Sequence, residues 1–349
     1  MRMKYRSGLA AVAAIVLVAG AALAEAPAPT KVTPELIEAA KKEGKIVWYT
    51  SVELELAEKV AKAFEAKYPG IPVQVERSGA ERNFQRLSQE YASNLHEADF
   101  VNSSDAAHFI VWKRQGWLAP FVPDEVAQYY PPEQKDPDGT YATWRMTLSI
   151  MGYNTRLVKP DQAPKSFADL LDPKWAGKLV KAHPGYSGTI LTSTFEMARD
   201  LGWDYFEKLA KQRVMQVQSA TDPPRKLAAG ERSVMIDGSE YVLLIAKEKG
   251  SPVEPIYPTE GSPSIVGPSA VLKDAPHPNA ARLFAIYSFS TECQQLIVDV
   301  GYLRSADTRV KERPGRPTLE DIKLMKDDPK TVESQVDEIK KKYLEYFGT

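Results

Sequence analysis

Residues 45–50 read Lys45-Ile46-Val47-Trp48-Tyr49-Thr50, a short apolar run that ends in a small polar residue. In the segment that follows, from Glu53 to Tyr68, apolar residues recur at spacings of four, three and one, as on one face of a helix. Pro69-Gly70 ends that helix, and alternating apolar residues at positions 71–75 predict a second strand. The order of strand, helix and strand indicates an α/β fold.

The same alternation continues along the chain. Helical spacing at 84–95 is followed by a strand-like run at 98–101, a polar loop and a further helical pattern at 106–115. A second alternating series begins at Lys178 and includes a strand at 234–236 and a helix at 240–249. Such a β-α-β-α series favours a mostly parallel sheet with helices on both faces, and two such series predict two lobes.

The boundaries of the lobes are predicted where the chain becomes strand-like between the two series. Lobe 1 is predicted at 25–143 plus 267–305, and lobe 2 at 144–266 plus 306–349 with the C-terminal helices. Residues 1–24 are predicted to be a signal peptide, which leaves about 325 residues, more than one hydrophobic core usually serves. A strand hinge is expected to connect the lobes.

The N-terminus predicts export. Positive charges at positions 2, 4 and 6 precede the apolar run Gly8–Leu23, and Ala22-Leu23-Ala24 has the small-residue pattern of a cleavage site before Glu25. We therefore expect a soluble, monomeric periplasmic protein. The alternative, a membrane anchor, needs about 20 apolar residues, and this run is shorter.

Charge and cysteine content give no support for nucleic-acid binding, membrane binding or an internal disulfide. The formal net charge of −1 gives no general electrostatic case for binding nucleic acid or an anionic membrane. The one cysteine, Cys293, cannot form an internal disulfide, and its apolar neighbours indicate a buried structural thiol.

Several short motifs, in this order and spacing, resemble the extracellular solute-binding proteins of ABC importers, in the branch that includes ferric-ion, thiamine, phosphonate and polyamine binders. The motifs lie at 44–51, 64–71, 98–105, 116–121, 151–155 and 169–178. The resemblance implies two α/β lobes that hold a small ligand in the cleft between them, close over it and deliver it to a permease in the inner membrane.

Candidate ligand-binding residues follow from that cleft, because ligands of open α/β sheets bind beyond the carboxyl ends of strands. The loops at these ends are rich in serine, threonine and glycine, which offer hydroxyls and backbone N–H groups. Helix capping is the alternative role of each single loop. The predicted ligand-binding residues are Thr50, Ser51, Arg77, Ser78, Ser104, Tyr186, Ser187, Gly188, Thr189, Ser239, Glu240 and Tyr241.

The ligand itself is expected to be a small organic anion, with Arg77 supplying positive charge. Alternatively, Arg77 could pair on the surface with Glu76 or Glu81. Iron-binding members of the resembled family often use adjacent tyrosines at the start of a lobe-2 helix, and sometimes a histidine after the first strand. Here that pair is reduced to Tyr241, and the first loop has no histidine, so a metal site at Tyr186 and Tyr241, with Glu53 or Glu240 as further ligands, is the second interpretation.

Enzymatic motifs are absent from the sequence. Gly185-Tyr186-Ser187-Gly188 lacks the last glycine of a nucleophile elbow, and the sequence has no phosphate-binding loop, no H-E-x-x-H motif and no cysteine–histidine cluster. We therefore expect neither catalysis nor a cofactor. A secreted hydrolase remains the rival class, and the sequence does not separate a transport protein from a sensory binding module.

Overall fold

The apolar run forms an interior strand of a sheet, next to the edge strand, in the computed structural model, which describes residues 26–348. The strands are β1 Ile46–Thr50, β2 Val73–Arg77, β3 Phe100–Asn102, β4 Ala142–Leu148, β5 Met151–Asn154, β6 Leu179–Ala182, β7 Met215–Val217, β8 Val234–Met235, β9 Val253–Ile256, β10 Ser262–Val271 and β11 Leu324–Met325. The helices are α1 Pro34–Glu43, α2 Leu54–Lys67, α3 Ala80–Ala92, α4 Ala106–Arg114, α5 Asp124–Tyr129, α6 Gly188–Leu201, α7 Trp203–Ala210, α8 Asp222–Ala228, α9 Glu240–Glu248, α10 Pro278–Ser288, α11 Thr291–Asp299 and α12 Pro329–Phe347.

Two sheets organise these elements, which confirms the predicted α/β class. The first has the order β11-β10-β3-β1-β2, with β4 also paired to β10, and the second has the order β7-β6-β8-β5-β9. We call the first sheet with its helices lobe 1, and the second sheet with its helices lobe 2. In both, the strands of the β-α series are parallel, and the strands next to the lobe crossings pair antiparallel. Each sheet is therefore mixed.

The lobes are connected by extended strands. The strand-like run at 141–153 is divided between the sheets, since β4 pairs with β10 in the first sheet and β5 pairs with β8 and β9 in the second. A further connection passes Arg304, whose backbone exchanges hydrogen bonds with Met146 of β4. The predicted lobe limits at 143/144 and 266/267 fall inside β4 and β10, and they remain predictions.

Each lobe has its own hydrophobic core, as independent α/β units require. In lobe 1, the buried ring of Trp48 contacts Trp144 and Phe284, at centroid distances of 5.8 and 5.3 Å. In lobe 2, Phe167 and Phe206 belong to a separate buried cluster. Cys293 is fully buried in the lobe 1 core, which confirms the predicted burial of its thiol.

The C-terminal helix α12 packs on both lobes. Its Val332 and Ile339 share a buried cluster with Ala107 of α4 and Leu191 of α6. Among residues 26–348, no helix combines the length and the apolar character that crossing a membrane requires. The predicted signal peptide and its cleavage site lie outside the described residues.

Candidate functional site

A small cavity lies where the strand-end loops of the two lobes meet. Its volume is about 20 Å³, which is room for roughly one water molecule. The lining residues are Ser51, Arg77, Gly79, Ala80, Ser104, Arg145, Ser187, Thr189, Ser219, Ala220, Thr221, Ser239 and Tyr241. Most of them follow the carboxyl ends of β1, β2, β3, β6, β7 and β8, where an open α/β sheet binds ligands. The lobes are therefore closed on each other in this structure.

The charges on this wall have one sign. Two arginines line the cavity, and none of the lining residues is an aspartate or a glutamate. The remaining polar groups are chiefly serine and threonine hydroxyls, which can donate hydrogen bonds to an oxyanion. Two guanidinium groups among hydroxyl donors give this wall a chemistry suited to an anion.

Arg145 on β4 is the more deeply placed of the two arginines. It is 2% exposed, its Nη2 donates to Ser51 Oγ at 3.2 Å, and its Nε makes no hydrogen bond. No salt bridge joins it to a carboxylate within residues 26–348. Burial lowers the pKa of Arg145 from its ordinary value, and the charge of Arg77 lowers it further, although a guanidinium remains protonated.

Gly267 of β10 makes room for this arginine. A Cβ at Gly267 would lie 2.9 Å from Cγ and 3.0 Å from Nε of Arg145. The arginine side chain therefore packs against β10 at Gly267, where a larger residue would collide with it.

Arg77, at the end of β2, reaches across to lobe 2. Its Nη2 donates to Ser219 Oγ at 3.3 Å, and its Nε donates to the Val52 carbonyl at 3.4 Å. The alternative in which Arg77 pairs with Glu76 or Glu81 is not seen. Glu76 pairs with Arg86 instead, while Glu81 pairs with His108 and Lys340.

Three helix N-termini add partial positive charge to the cavity wall. Helix α3 begins directly after Gly79, α6 after Ser187 and α9 after Ser239, and these three preceding residues all line the cavity. At Gly79 and Ser239 no side chain caps the helix, so backbone N–H groups of the first turn remain available to a ligand. Two guanidinium groups and three helix dipoles converge on one point between the lobes.

Direct contacts hold the lobes together around this point. The Glu53 N–H donates to the Tyr241 hydroxyl at 3.1 Å, and Glu53 also forms a 2.7 Å salt bridge with Arg225. Two glycines lie where the lobes are in close contact: a Cβ at Gly188 would lie 2.5 Å from Asp105 Cβ, and a Cβ at Gly79 would lie 3.0 Å from the Tyr186 carbonyl oxygen.

Some of the residues predicted from the sequence meet at this cavity. They are Ser51, Arg77, Ser104, Ser187, Thr189, Ser239 and Tyr241. The other predicted residues do not line it, namely Thr50, Ser78, Tyr186, Gly188 and Glu240. Their role in ligand binding stays a prediction, and their positions have identifiable physical reasons.

Thr50 and Tyr186 do not line the cavity, Thr50 because its hydroxyl is hydrogen-bonded elsewhere and Tyr186 because its side chain faces solvent. The Thr50 hydroxyl donates to Asn102 Oδ1 and accepts from the Val52 N–H, so it serves the strand ends. Tyr186 is 45% exposed, and its ring lies 5.2 Å from the His183 ring at an interplanar angle of 51°. Of the two tyrosines proposed for iron, only Tyr241 lines the cavity.

Glu240 turns away from the cavity into a buried ion-pair network. Its carboxylate oxygens accept from Arg304 Nη2 at 3.0 Å and Arg316 Nη2 at 2.6 Å, and from the Tyr257 hydroxyl at 2.8 Å. Although burial opposes ionisation, the two guanidinium groups hold the pKa of Glu240 below its ordinary value. The side chain therefore ties α9 to the lobe crossing near Arg304.

Sequence reasoning missed Arg145, Ser219 and Thr221. The sequence did contain an indication of Arg145, because it is a charged residue inside the strand-like run at 141–153. Charged side chains are rarely buried in a strand unless they have a partner or a ligand. Ser219 and Thr221 follow β7, a strand of three residues that has no clear alternation.

A larger cavity of about 850 Å³ lies in lobe 1. Its wall is mainly apolar, with Phe121 and Phe289 among its residues, and it includes Ala26 and Pro27 near the N-terminus. Because all of its lining residues belong to lobe 1, closure of the lobes does not enclose it. The polar interlobe cavity is the better candidate for a ligand site.

Comparison with known proteins agrees with this architecture. A family model described as bacterial extracellular solute-binding protein matches residues 98–319. The chain belongs to this family, which confirms the resemblance predicted from its motifs.

Individual relatives are similar over most of the chain. An uncharacterized protein of Haemophilus influenzae is 27% identical over 273 residues, covering 74% of this chain and 76% of the relative. The probable ABC transporter periplasmic-binding protein y4fP of Sinorhizobium fredii is 25% identical over 235 residues, covering 64% of this chain and 63% of that protein.

Two solved structures show the same fold. The periplasmic binding protein AfuA from Actinobacillus pleuropneumoniae, solved with exogenous fructose-6-phosphate bound, has a TM-score of 0.80 and 25% identity, covering 87% of this chain and 99% of that chain. Iron-bound HitA from Pseudomonas aeruginosa has a TM-score of 0.73 and 20% identity, covering 86% and 99%.

Proposed function

We propose that this chain is the periplasmic substrate-binding component of an ABC transporter, and that it binds a small organic anion, best matched by a phosphate monoester, between its lobes. The observation that carries the proposal is the pair Arg77 and Arg145 at a cavity without a lining carboxylate. A buried cation without a counter-charge is costly, and an anionic ligand supplies that charge.

The number of donors supports a phosphate group over a single carboxylate. Guanidinium forks, hydroxyls from both lobes and free N–H groups of helix N-termini surround the point, and a tetrahedral dianion presents more oxygens to them than a carboxylate does. AfuA, the 25%-identical structure, is a periplasmic binding protein solved with fructose-6-phosphate. A related ligand here would place its phosphate among the arginines.

Closure then follows from the position of the donors. Because Arg77 and Ser104 belong to lobe 1 while Ser187, Thr189 and Ser239 belong to lobe 2, an anion between them binds the closed arrangement better than the open one. The cavity of about 20 Å³ is too small for an organic phosphate, so the loops of its wall must shift outward around the bound ligand while the lobes stay in contact at Gly188 and Asp105. The closed, loaded protein would be the form delivered to the permease, as a monomer.

A screen of ligands tests the function. Sugar phosphates, phosphonates and carboxylates are compared by thermal shift and calorimetry, with ferric iron included because HitA is iron-bound. A phosphate monoester at about 100 times its dissociation constant should stabilise the fold by ~2.7 kcal/mol, a rise of a few degrees in melting temperature. Tight, coloured binding of one ferric ion that is lost in Tyr241→Phe would instead favour the iron alternative.

The partly exposed arginine gives a direct test of the charge. Arg77→Ala should weaken binding of the phosphate monoester by about tenfold, since a hydrogen bond to a charged group contributes ~1.5 kcal/mol or more. Arg82→Ala is the matched control, because Arg82 also crosses to lobe 2, at Gln218, but does not line the cavity. Equal losses in the two variants, measured by calorimetry, would place the effect in lobe contact rather than in anion binding.

A further inference from the structure

A buried group of acidic and imidazole side chains lies behind the cavity wall. Glu81 of α3, Asp105 at the N-cap of α4 and His108 of α4 are 5%, 1% and 6% exposed. One potential ligand atom from each lies within 4.8 Å of the other two. Two of the three separations are known individually: Glu81 Oε1 lies 3.0 Å from His108 Nε2, and Asp105 Oδ2 lies 3.5 Å from the same nitrogen.

These separations match the spacing of ligands around a small metal ion. In a tetrahedral zinc site with Zn–N and Zn–O distances near 2.0 Å, neighbouring ligand atoms are about 3.3 Å apart. The two measured values lie on either side of that spacing. Imidazole with two carboxylates is also a donor set that zinc and similar divalent ions accept.

Glu81 Oε1 and His108 Nε2 share a 3.0 Å hydrogen bond that a metal ion would replace, and the other hydrogen bonds of these side chains use other atoms. Asp105 uses Oδ1 to accept from the Ala107 N–H at 2.9 Å, while its buried Oδ2 makes no hydrogen bond. Glu81 uses Oε2 to accept from Lys340 at 2.7 Å. His108 Nδ1 lies 3.3 Å from Ser103 Oγ, which can accept its proton and so direct Nε2 toward a metal.

We propose that Glu81, Asp105 and His108 form a binding site for a divalent transition-metal ion, with Zn²⁺ as the best-matched ion. The site is separate from the tyrosines considered for iron and is built entirely within lobe 1. The Lys340 ammonium, 2.7 Å from Glu81 Oε2, offsets part of the negative charge of the two carboxylates, and a bound metal ion would offset the rest. The Lys340 side chain is 31% exposed, against 6% for that of Glu81, so a metal ion would enter the site on the Lys340 side.

The position of the site relates it to the ligand cavity. Ser104 lies between Ser103 and Asp105 in the chain and lines that cavity, and Gly188 of lobe 2 packs against Asp105. A bound divalent ion would add positive charge directly behind the anion-binding wall. Metal binding should therefore raise affinity for an anion in the cleft.

Titration of the chelator-treated full protein with Zn²⁺ or Co²⁺ alone tests the inference without any organic ligand. Binding of one equivalent is expected, and the visible bands of Co²⁺ should report low-coordinate nitrogen and oxygen ligation. His108→Gln should weaken binding by at least a hundredfold, and the matched control His96→Gln should leave it unchanged. Ser103→Ala, which keeps all three ligands and loses the imidazole's partner, should weaken binding about tenfold.

Each other outcome counts against the site. If the natural protein binds Zn²⁺ no more tightly than His108→Gln does, the group is an ion-pair network only. If His108→Gln does not fold, unchanged affinity in Ser103→Ala overturns the proposal by itself. Inorganic phosphate titrated with and without Zn²⁺ then measures the effect on the anion site, so failure of the metal site stays distinct from failure of the proposed function.

Discussion

Replacing Arg145 by methionine is expected to lower the affinity for a phosphate monoester by about a hundredfold, while the ligand-free protein becomes no less stable. The loss of affinity follows from full burial, because a charge-assisted hydrogen bond removed from a desolvated site costs up to ~3 kcal/mol. The gain or neutrality in stability follows from the missing counter-charge, since apolar replacements of buried ionic groups are often neutral or stabilising.

Calorimetry and thermal melting of the same samples measure the two effects. Thr147→Val is the matched control, because Thr147 is also buried on β4 but does not line the cavity. A structural role for Arg145 would give the opposite signature, with a lower melting temperature in the ligand-free state. Unchanged affinity in Arg145→Met would mean that the anion binds elsewhere.

The fold was predictable from the sequence because the local hydrophobic patterns and the polar residues at the strand ends indicate the same α/β arrangement. Helical spacing in Glu53–Tyr68 appears as α2, and the polar residues after β1, β3 and β6 meet at one cavity, as the topology of parallel strands requires. Ser104 and Ser187 were therefore predictable from position alone. No long-range contact was needed to place them.

The direction in which a side chain points was not predictable from these local patterns. Glu240 and Tyr241 are neighbours at the start of α9, yet Tyr241 lines the cavity and Glu240 pairs with Arg304 and Arg316, which lie more than 60 positions further along the chain. Such pairing depends on where the segment after α11 runs in the folded protein, which local sequence patterns do not indicate. Arg145 was missed for a related reason, since a strand pattern does not reveal whether its one charged residue has a partner.

A Cβ at Gly188 is expected to prevent full closure of the lobes. It would lie 2.5 Å from Asp105 Cβ and 3.1 Å from Ala80 Cβ, both in lobe 1, whereas Gly188 itself begins helix α6 of lobe 2. Real Cβ atoms essentially never lie within 3.0 Å of another such atom, so the 2.5 Å contact means that the lobes of Gly188→Ala must remain apart or the helix must shift. Overpacking of this kind costs ~1–3 kcal/mol.

The cost falls on the closed state alone, because within lobe 2 alanine is the better helix former. Gly188→Ala should therefore weaken ligand binding by about tenfold to a hundredfold, and its ligand-free melting temperature should be the same or higher. Small-angle scattering should show the natural protein contracting when ligand is added and the variant contracting less. Arg199→Ala, at the exposed far end of the same helix, should bind and contract normally. If Gly188→Ala binds and contracts like the natural protein, then the contact between Gly188 and Asp105 is not part of the ligand-bound state, and ligand binding stops closure short of the arrangement seen here.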